Sequence, residues 1–369
     1  MAANPVPEMR KALKRRHFLR LCSASPFAVP LLSAPSLSMV RDVLAASGLP
    51  AHDHWAWAHA RPDEPEDDRR RRFAGLRAAG VGSVLLGGAD ADNTALAAAE
   101  GLNVHAWTWT MCRGGDLLEQ HPDWYAVSRE GKSAAGHPPY VPYYHFLCPT
   151  RPEVRAHLRA EFARIAATPG LAGVHLDYIR LPDVILPRAL WDHYGLVQHD
   201  ELPPYDFCYC EACRAAFAAR SGVDPLDLPD PPADEAWRRF RWDAVSGVVA
   251  DLAAEVSAAG RQATAAVFPS PSIARRLVRQ DWAGWPLDAV LPMVYHSFYD
   301  EGVDWIEPTV REGVAALPAH RPLYAGLYLP ALADERDFAA AVDGALAGGA
   351  RGVALFGGVR DLGRWAAPR

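Results

Sequence analysis

Gly173-Val-His-Leu-Asp-Tyr-Ile-Arg-Leu-Pro-Asp183 is a short apolar run that breaks at once into Asp177, Tyr178 and Arg180. A strand of an α/β barrel delivers polar chemistry to its C-terminal mouth in this way, so Asp177 is the first candidate for a catalytic carboxylate. A carboxylate closing such a strand is costly to bury without a hydrogen bond or a cation, and His175 and Arg180 are the nearby groups that could hold it. The competing reading is a structural salt bridge capping the strand.

Outward from this segment, short apolar runs alternate with helical patterns eight times. The spacing predicts strands over 54–58, 81–87, 104–110, 173–178, 264–269, 289–295, 323–329 and 352–356. Helices are predicted over 68–79, 93–100, 152–167, 234–259, 273–283, 305–316 and 335–347. Pro152 sits near a helix start, and Gly80, Gly101, Gly170 and Gly260 each follow a helix as stops. Eight strand-then-helix units predict an α/β fold, a (β/α)8 TIM barrel. An open doubly wound sheet is disfavoured, because no Gly-x-Gly-x-x-Gly follows the first strand and no Walker-type Gly-Lys-Ser/Thr occurs. Nucleotide binding goes with it, and no organic cofactor is expected. The connections after the third and fourth strands, 112–149 and 181–232, are long enough to build a site.

The chain has 369 residues, and barrels run to roughly 250 as one unit, so one domain over 47–369 plus a removable leader accounts for it. Lys14-Arg15-Arg16-His17-Phe18-Leu19-Arg20 resembles a twin-arginine export signal, followed by a moderately apolar stretch and Val43-Leu44-Ala45-Ala46, where cleavage is expected. Residues 1–46 then form a signal peptide, Cys22 is discarded with it, and the mature protein is periplasmic or extracellular. A basic amphipathic helix that stays on is the competing reading. No later run approaches the about 20 apolar residues of a membrane span. A net charge of -6 offers no basic face, so no nucleic-acid partner is expected.

Cys208-Tyr-Cys210-Glu-Ala-Cys213 packs three thiols into six residues, a spacing that suits a tetrahedral metal and strains disulfide pairing among them. Cys148, at the end of the neighbouring long loop, is the choice for a fourth ligand. Four thiolates would make a closed, structural zinc site pinning the two loops together, with Cys112 left as a bystander. A disulfide pair with spare thiols is the alternative for an exported protein.

The stretch from Cys148 through Phe217 resembles the family 42 β-galactosidases, in which a Cys-Pro-like turn, a fourth strand and Cys-x-Cys-x-x-Cys-x-x-x-Phe bind zinc. Gly173–Asp183, the run from Leu287 to Tyr299 and the run from His121 to Gly131 are similar to motifs of the family-10-like glycosylhydrolases, over most of 50–360. That resemblance implies hydrolysis of an O-glycosidic bond in a polysaccharide or cell-envelope glycan. Family 42 enzymes place Asn-Glu at the end of the fourth strand and Glu at the end of the seventh. Here the fourth ends Asp177-Tyr178-Ile179 and 323–330 has no carboxylate, so only the zinc-site likeness carries over.

Twelve Trp, twelve Tyr and twelve Phe give a generous aromatic stock, suited to stacking on sugar rings or to filling a large core. The candidate substrate contacts at the strand ends are Trp55, Trp57, Trp107, Trp109, Tyr178, Arg180, Tyr295 and His296. Alternation puts Trp107 and Trp109 on one face of their strand without saying which face looks inward. Most glycosidases need two carboxylates, about 5 to 9.5 Å apart depending on stereochemistry. Asp177 is one; Asp300 and Glu301 rank above Asp304 for the other, with Asp183 and Asp123 behind. The working mechanism gives Asp177 the ionised role, its pKa held low by Arg180, and a loop acid the protonating role, though the two could be reversed. Two other functions compete: a metal-dependent amidohydrolase built on His52-Asp53-His54, and a catalytically inactive carbohydrate-binding barrel.

Overall fold

The computed structural model describes residues 34–61, 64–332 and 334–359; the twin-arginine stretch and Cys22 lie outside the described residues. The strands are β1 His54–His59, β2 Ser83–Gly87, β3 Asn103–Trp109, β4 Gly173–Asp177, β5 Gln262–Val267, β6 Ala289–Pro292, β7 Tyr324–Tyr328 and β8 Gly352–Phe356. They run parallel in the order β6-β5-β4-β3-β2-β1-β8-β7. The cylinder closes between β6 and β7 through parallel bridges from Val290 to Leu323 and from Met293 to Gly326. Helices on the outside include Glu66–Ala78, Ala91–Ala99, Pro152–Ala166, Glu235–Ala258, Pro271–Val278, Ile306–Ala316 and Glu335–Ala347. This is the expected (β/α)8 barrel.

Strands covered on both faces give one set of side chains to the helical layer and the other to the lumen. Trp55, Trp57, Leu85, Ala266, Ala289, Leu291, Tyr324 and Ala354 fill the lumen, and Trp107, Met293 and Phe356 pack on them. The question of which face of β3 looks inward is thereby answered: the tryptophan face does. Small residues make room for the large rings. A Cβ at Gly173 would stand 2.4 Å from the His105 imidazole, so β4 needs glycine opposite that ring.

Near the start of β1 lies a helix that the sequence reading assigned to the leader, with Ser47 Oγ, just after it, 3.4 Å from His54 Nε2. Leu37–Ala46 is capped by Ser36, whose hydroxyl accepts from the Met39 amide, and it buries Val40, Val43 and Leu44. The helix packs against Glu335–Ala347. Beside it, β1 begins rather than ends at His54. Asp53 is buried there and accepts from Arg351 Nε at 3.1 Å. The amidohydrolase reading is corrected by this placement: His52, Asp53 and His54 sit at the end of the cylinder opposite the mouth.

Both long connections are folded. The one after β3 holds the short helix Asp116–Gln120, and the one after β4 holds Trp191–Tyr194 and Glu211–Ser221. Antiparallel bridges of Cys112 with Phe146, Tyr125 with Leu147 and Ser128 with Phe207 tie the first loop to itself and to the second. A buried charge cluster fixes the second loop to the barrel wall: Asp206 pairs with Arg241, with Arg129 at 3.4 Å and Arg279 at 3.6 Å. Burial pushes the Asp206 carboxyl up, but Arg241 and Arg279 outweigh it and leave its pKa below the usual carboxylate value.

Candidate active site and metal centre

The mouth is lined by half-buried residues at strand ends: His59, Trp107, Trp109, Asp177, Met293 and Phe356. Of the eight residues that close the strands, Asp177 alone carries a carboxylate. Its Oδ2 accepts from Trp107 Nε1 at 2.8 Å and its Oδ1 from the Tyr178 amide at 2.7 Å. Tyr178 takes a left-handed conformation, φ 50°, which turns the chain sharply off the strand. Burial pushes the Asp177 carboxyl up, against the smaller lowering effects of Trp107, the Tyr178 amide and Arg180. An acid of this kind holds its proton to higher pH than a free aspartate.

Arg180 therefore does not play the expected part. It is committed to Asp183 at 2.8 Å, donates to the Tyr144 hydroxyl at 3.2 Å and lies over the rings of Phe146 and Phe268. Asp183 is buried in that pair, which removes it as a partner for Asp177. The aromatic candidates divide as well. Trp107 and Trp109 stand at the open mouth, and Trp109 lies 4.5 Å from the Tyr178 ring. Tyr295 is buried beneath, stacked on Phe356 at 5.4 Å, and Asp177 helps raise its pKa, second to burial. Trp55 and Trp57 are buried lumen core rather than rim, because β1 runs two residues past Trp57 before the chain emerges.

The loop acids are not gathered around Asp177. Asp300 is mostly exposed and lies 3.6 Å from an equally exposed Arg188. Glu301 lines an outer groove with His296, Asp304, Glu307 and Asp337, so His296 faces that groove rather than the mouth. The left-handed backbone of Asp300, φ 63°, redirects the chain here. Asp123 is exposed beside Arg151 at 3.9 Å. His59 and Phe356 were missed as mouth residues; the alternation Trp55, Trp57, His59 carried the signal, one residue past the expected strand end.

At the base of the long loops, Cys148, Cys208, Cys210 and Cys213 are buried with their sulfurs all within 4.8 Å of one another, close enough to hold one metal ion. Cys148 lies 3.5 Å from Cys213 and 3.4 Å from Cys210, sulfur to sulfur, and none of the four is in a disulfide. Separations of this size fit a tetrahedron of sulfurs about 2.3 Å from a central ion. The Val127 amide donates to Cys208 Sγ at 3.4 Å, and Thr150 Oγ1 lies 3.2 Å from Cys213 Sγ. These are the outer-shell contacts a thiolate site uses. Cys112 stands apart, its thiol donating to the Tyr143 carbonyl at 3.1 Å and its pKa pushed up to about 12 by burial.

No known family model matches the sequence, and no curated protein matches it. Solved structures do resemble the fold. A polyextremophilic β-galactosidase from the Antarctic haloarchaeon Halorubrum lacusprofundi superposes with a TM-score of 0.54 at 16% identity, over 82% of this chain and 52% of that one. This chain thus spans about half the length of that enzyme. The PgaB (BpsB) glycoside hydrolase domain from Bordetella bronchiseptica matches with a TM-score of 0.54 at 13% identity, over 82% and 93%. The catalytic domain of β-amylase from Paenibacillus polymyxa matches with a TM-score of 0.54 at 12% identity, over 85% and 94%.

Proposed function

We propose that this barrel is an exported glycoside hydrolase that cleaves O-glycosidic bonds of a polysaccharide or cell-envelope glycan, with Asp177 as its general acid. The observation that carries the proposal is a single carboxyl at the end of β4, inside an open aromatic mouth, with its pKa raised by burial. A raised pKa favours the protonated form that can deliver a proton to a leaving glycosidic oxygen, and flat indoles beside it suit the apolar faces of sugar rings. The fold is shared with structures named as a β-galactosidase, a glycoside hydrolase domain and a β-amylase. We assign Asp177 the protonated role, the reverse of the working mechanism, on the upward direction of its pKa shift.

Asp300 or Glu301 takes the opposing role only when the loop after β6 moves toward Asp177, since here Asp300 lies at the surface beside Arg188 and Glu301 lines the outer groove. The pair between Asp300 and Arg188 is too exposed to hold that loop, since such pairs contribute about 0 to 1 kcal/mol. A non-catalytic carbohydrate-binding barrel is the second reading, favoured by one fact: the groups that set the charge of Asp177 include no other carboxylate. Reducing-end release from a panel of polysaccharides and peptidoglycan, with binding measured alongside, separates the two. Cleavage of at least one substrate is the expected result, and binding without cleavage across the panel gives the second reading.

The Trp107 hydrogen bond stabilises the ionised form of Asp177, so Trp107→Phe should raise the pKa of the acid further. The high-pH limb of kcat/KM, where the acid loses its proton, then moves to higher pH. A pH profile unchanged in Trp107→Phe counts against Asp177 as the titrating acid.

In the four-cysteine site the reading is a structural zinc, with Cys148, Cys208, Cys210 and Cys213 as the whole ligand set. With all four positions filled by protein, the ion has no place for substrate and serves to hold the long loops together. The export reading stands beside it: the twin-arginine route carries folded chains, which lets a metal enter before transport.

A further inference from the structure

We propose that His59 is a sugar-contacting residue that fixes how the glycan lies against Asp177; this rests on the hydrolase reading above. His59 closes β1 and shares its face with Trp55 and Trp57, which fill the lumen, so its imidazole points inward at the mouth. Its ring lies 4.6 Å from the Trp107 ring, tilted by 41°. The same indole donates from Nε1 to Asp177, so Trp107 is a shared wall with the imidazole against one part and the carboxyl at another. A sugar in the mouth that reaches the Asp177 proton therefore passes over Trp107 and comes within range of His59.

Two features show that the position is built for an imidazole. Gly87 is its register partner on β2, and a Cβ there would stand 2.3 Å from Nδ1 and 2.5 Å from Cε1. Nothing in the backbone of Gly87 calls for glycine, since its φ lies outside the left-handed region; the ring alone requires it. Second, Nε2 is buried and has no hydrogen-bond partner. A buried nitrogen left unpaired costs about 1 to 3 kcal/mol, which a hydrogen bond from a bound hydroxyl would offset.

Burial, with Arg61 and Arg72 adding to it, lowers the His59 pKa to about 4, so the ring is neutral near pH 7. A neutral imidazole offers one donor and one acceptor, the pair a sugar hydroxyl can use in either sense. A carboxylate or phosphate would gain no charge from it. The ligand class this residue reads is a neutral ring hydroxyl next to the bond that Asp177 protonates.

The test uses the whole protein, with cellohexaose, chitohexaose, maltohexaose and soluble peptidoglycan fragments as probes. His59→Phe keeps a ring against Trp107 and removes both nitrogens; Gly87→Ala keeps the histidine and displaces it. Loss of one hydrogen bond to the sugar should weaken binding about ten-fold in His59→Phe, seen as a raised KM with kcat changed far less and an unchanged melting temperature. Gly87→Ala should weaken binding in the same direction. In the wild type, the bound sugar should shift the nitrogen NMR signals of the His59 ring. Affinity equal to wild type in His59→Phe, or an imidazole signal that ignores bound sugar, overturns the assignment. A wild type that binds without cleaving removes the hydrolase reading, while an affinity lost in His59→Phe still supports the role of His59. A wild type that binds none of the probes overturns both.

Discussion

Asp177→Asn lowers turnover on the cognate glycan by about 10²- to 10⁴-fold, the range a positioned acid supplies, and makes stability less dependent on pH than in the wild type. Both halves follow from one environment. The carboxyl is raised by burial, and its hydrogen bonds from Trp107 and Tyr178 and the charge of Arg180 offset that only in part. Because the folded pKa exceeds the unfolded one, the native state binds more protons between the two values, and stability falls as pH rises through that window. Above it, the native state carries an ionised carboxylate in a site that disfavours charge. An amide there is neutral at every pH, so Asp177→Asn removes that pH dependence; its oxygen can still accept from Trp107, while its NH2 faces the Tyr178 amide and that hydrogen bond is lost. Kinetics and a thermal melt at two pH values check the claim. Near-normal turnover in Asp177→Asn ends the general-acid assignment, and a melting temperature whose pH dependence is unchanged in the variant contradicts the raised pKa.

Cys210→Ser, or exhaustive chelation, should lower the melting temperature by about 10 °C or more and abolish glycan binding. A structural thiolate centre contributes folding free energy outright, and removing a ligand leaves three buried sulfurs without their ion. The four ligands come from different stretches: Cys148 leads into the helix Pro152–Ala166, and Cys208, Cys210 and Cys213 belong to the connection after β4. Loosening them frees the loops that carry Tyr143, Tyr144 and Arg180, the aromatic and ionic packing around Tyr178. Metal analysis of protein purified without chelators gives the direct check. One zinc per chain is expected, and its absence, or a Cys210→Ser protein that melts like wild type, removes the structural-metal reading. Cys112→Ser is the internal control, because that thiol stands outside the cluster.

Much of this was readable from residue order alone, and the parts that were not share a cause. Apolar alternation located all eight strands, and the abrupt polarity after Leu176 located Asp177 at the mouth. The cysteine spacing, joined to Cys148 by its place at a loop end, gave the four sulfurs that meet. Alternation distinguishes two faces of a strand but does not say which one a closed cylinder turns inward, so Trp107 and Trp109 stayed undecided until β3 was seen beside β4. The destinations of loop side chains were hidden for another reason. The left-handed turns at Tyr178 and Asp300 swing the following residues away from the line of the strand, which sends Arg180 to Asp183 and Asp300 to the surface. The helix Leu37–Ala46 was masked by its composition, since short apolar residues near alanines read equally as a cleavage region and as a packing face.

That helix also settles a matter of orientation. It sits at the end of the cylinder where the strands begin, whereas Asp177 and Trp109 stand at the end where they finish. The opening is therefore shaped by the loops that follow the strands and not by this helix.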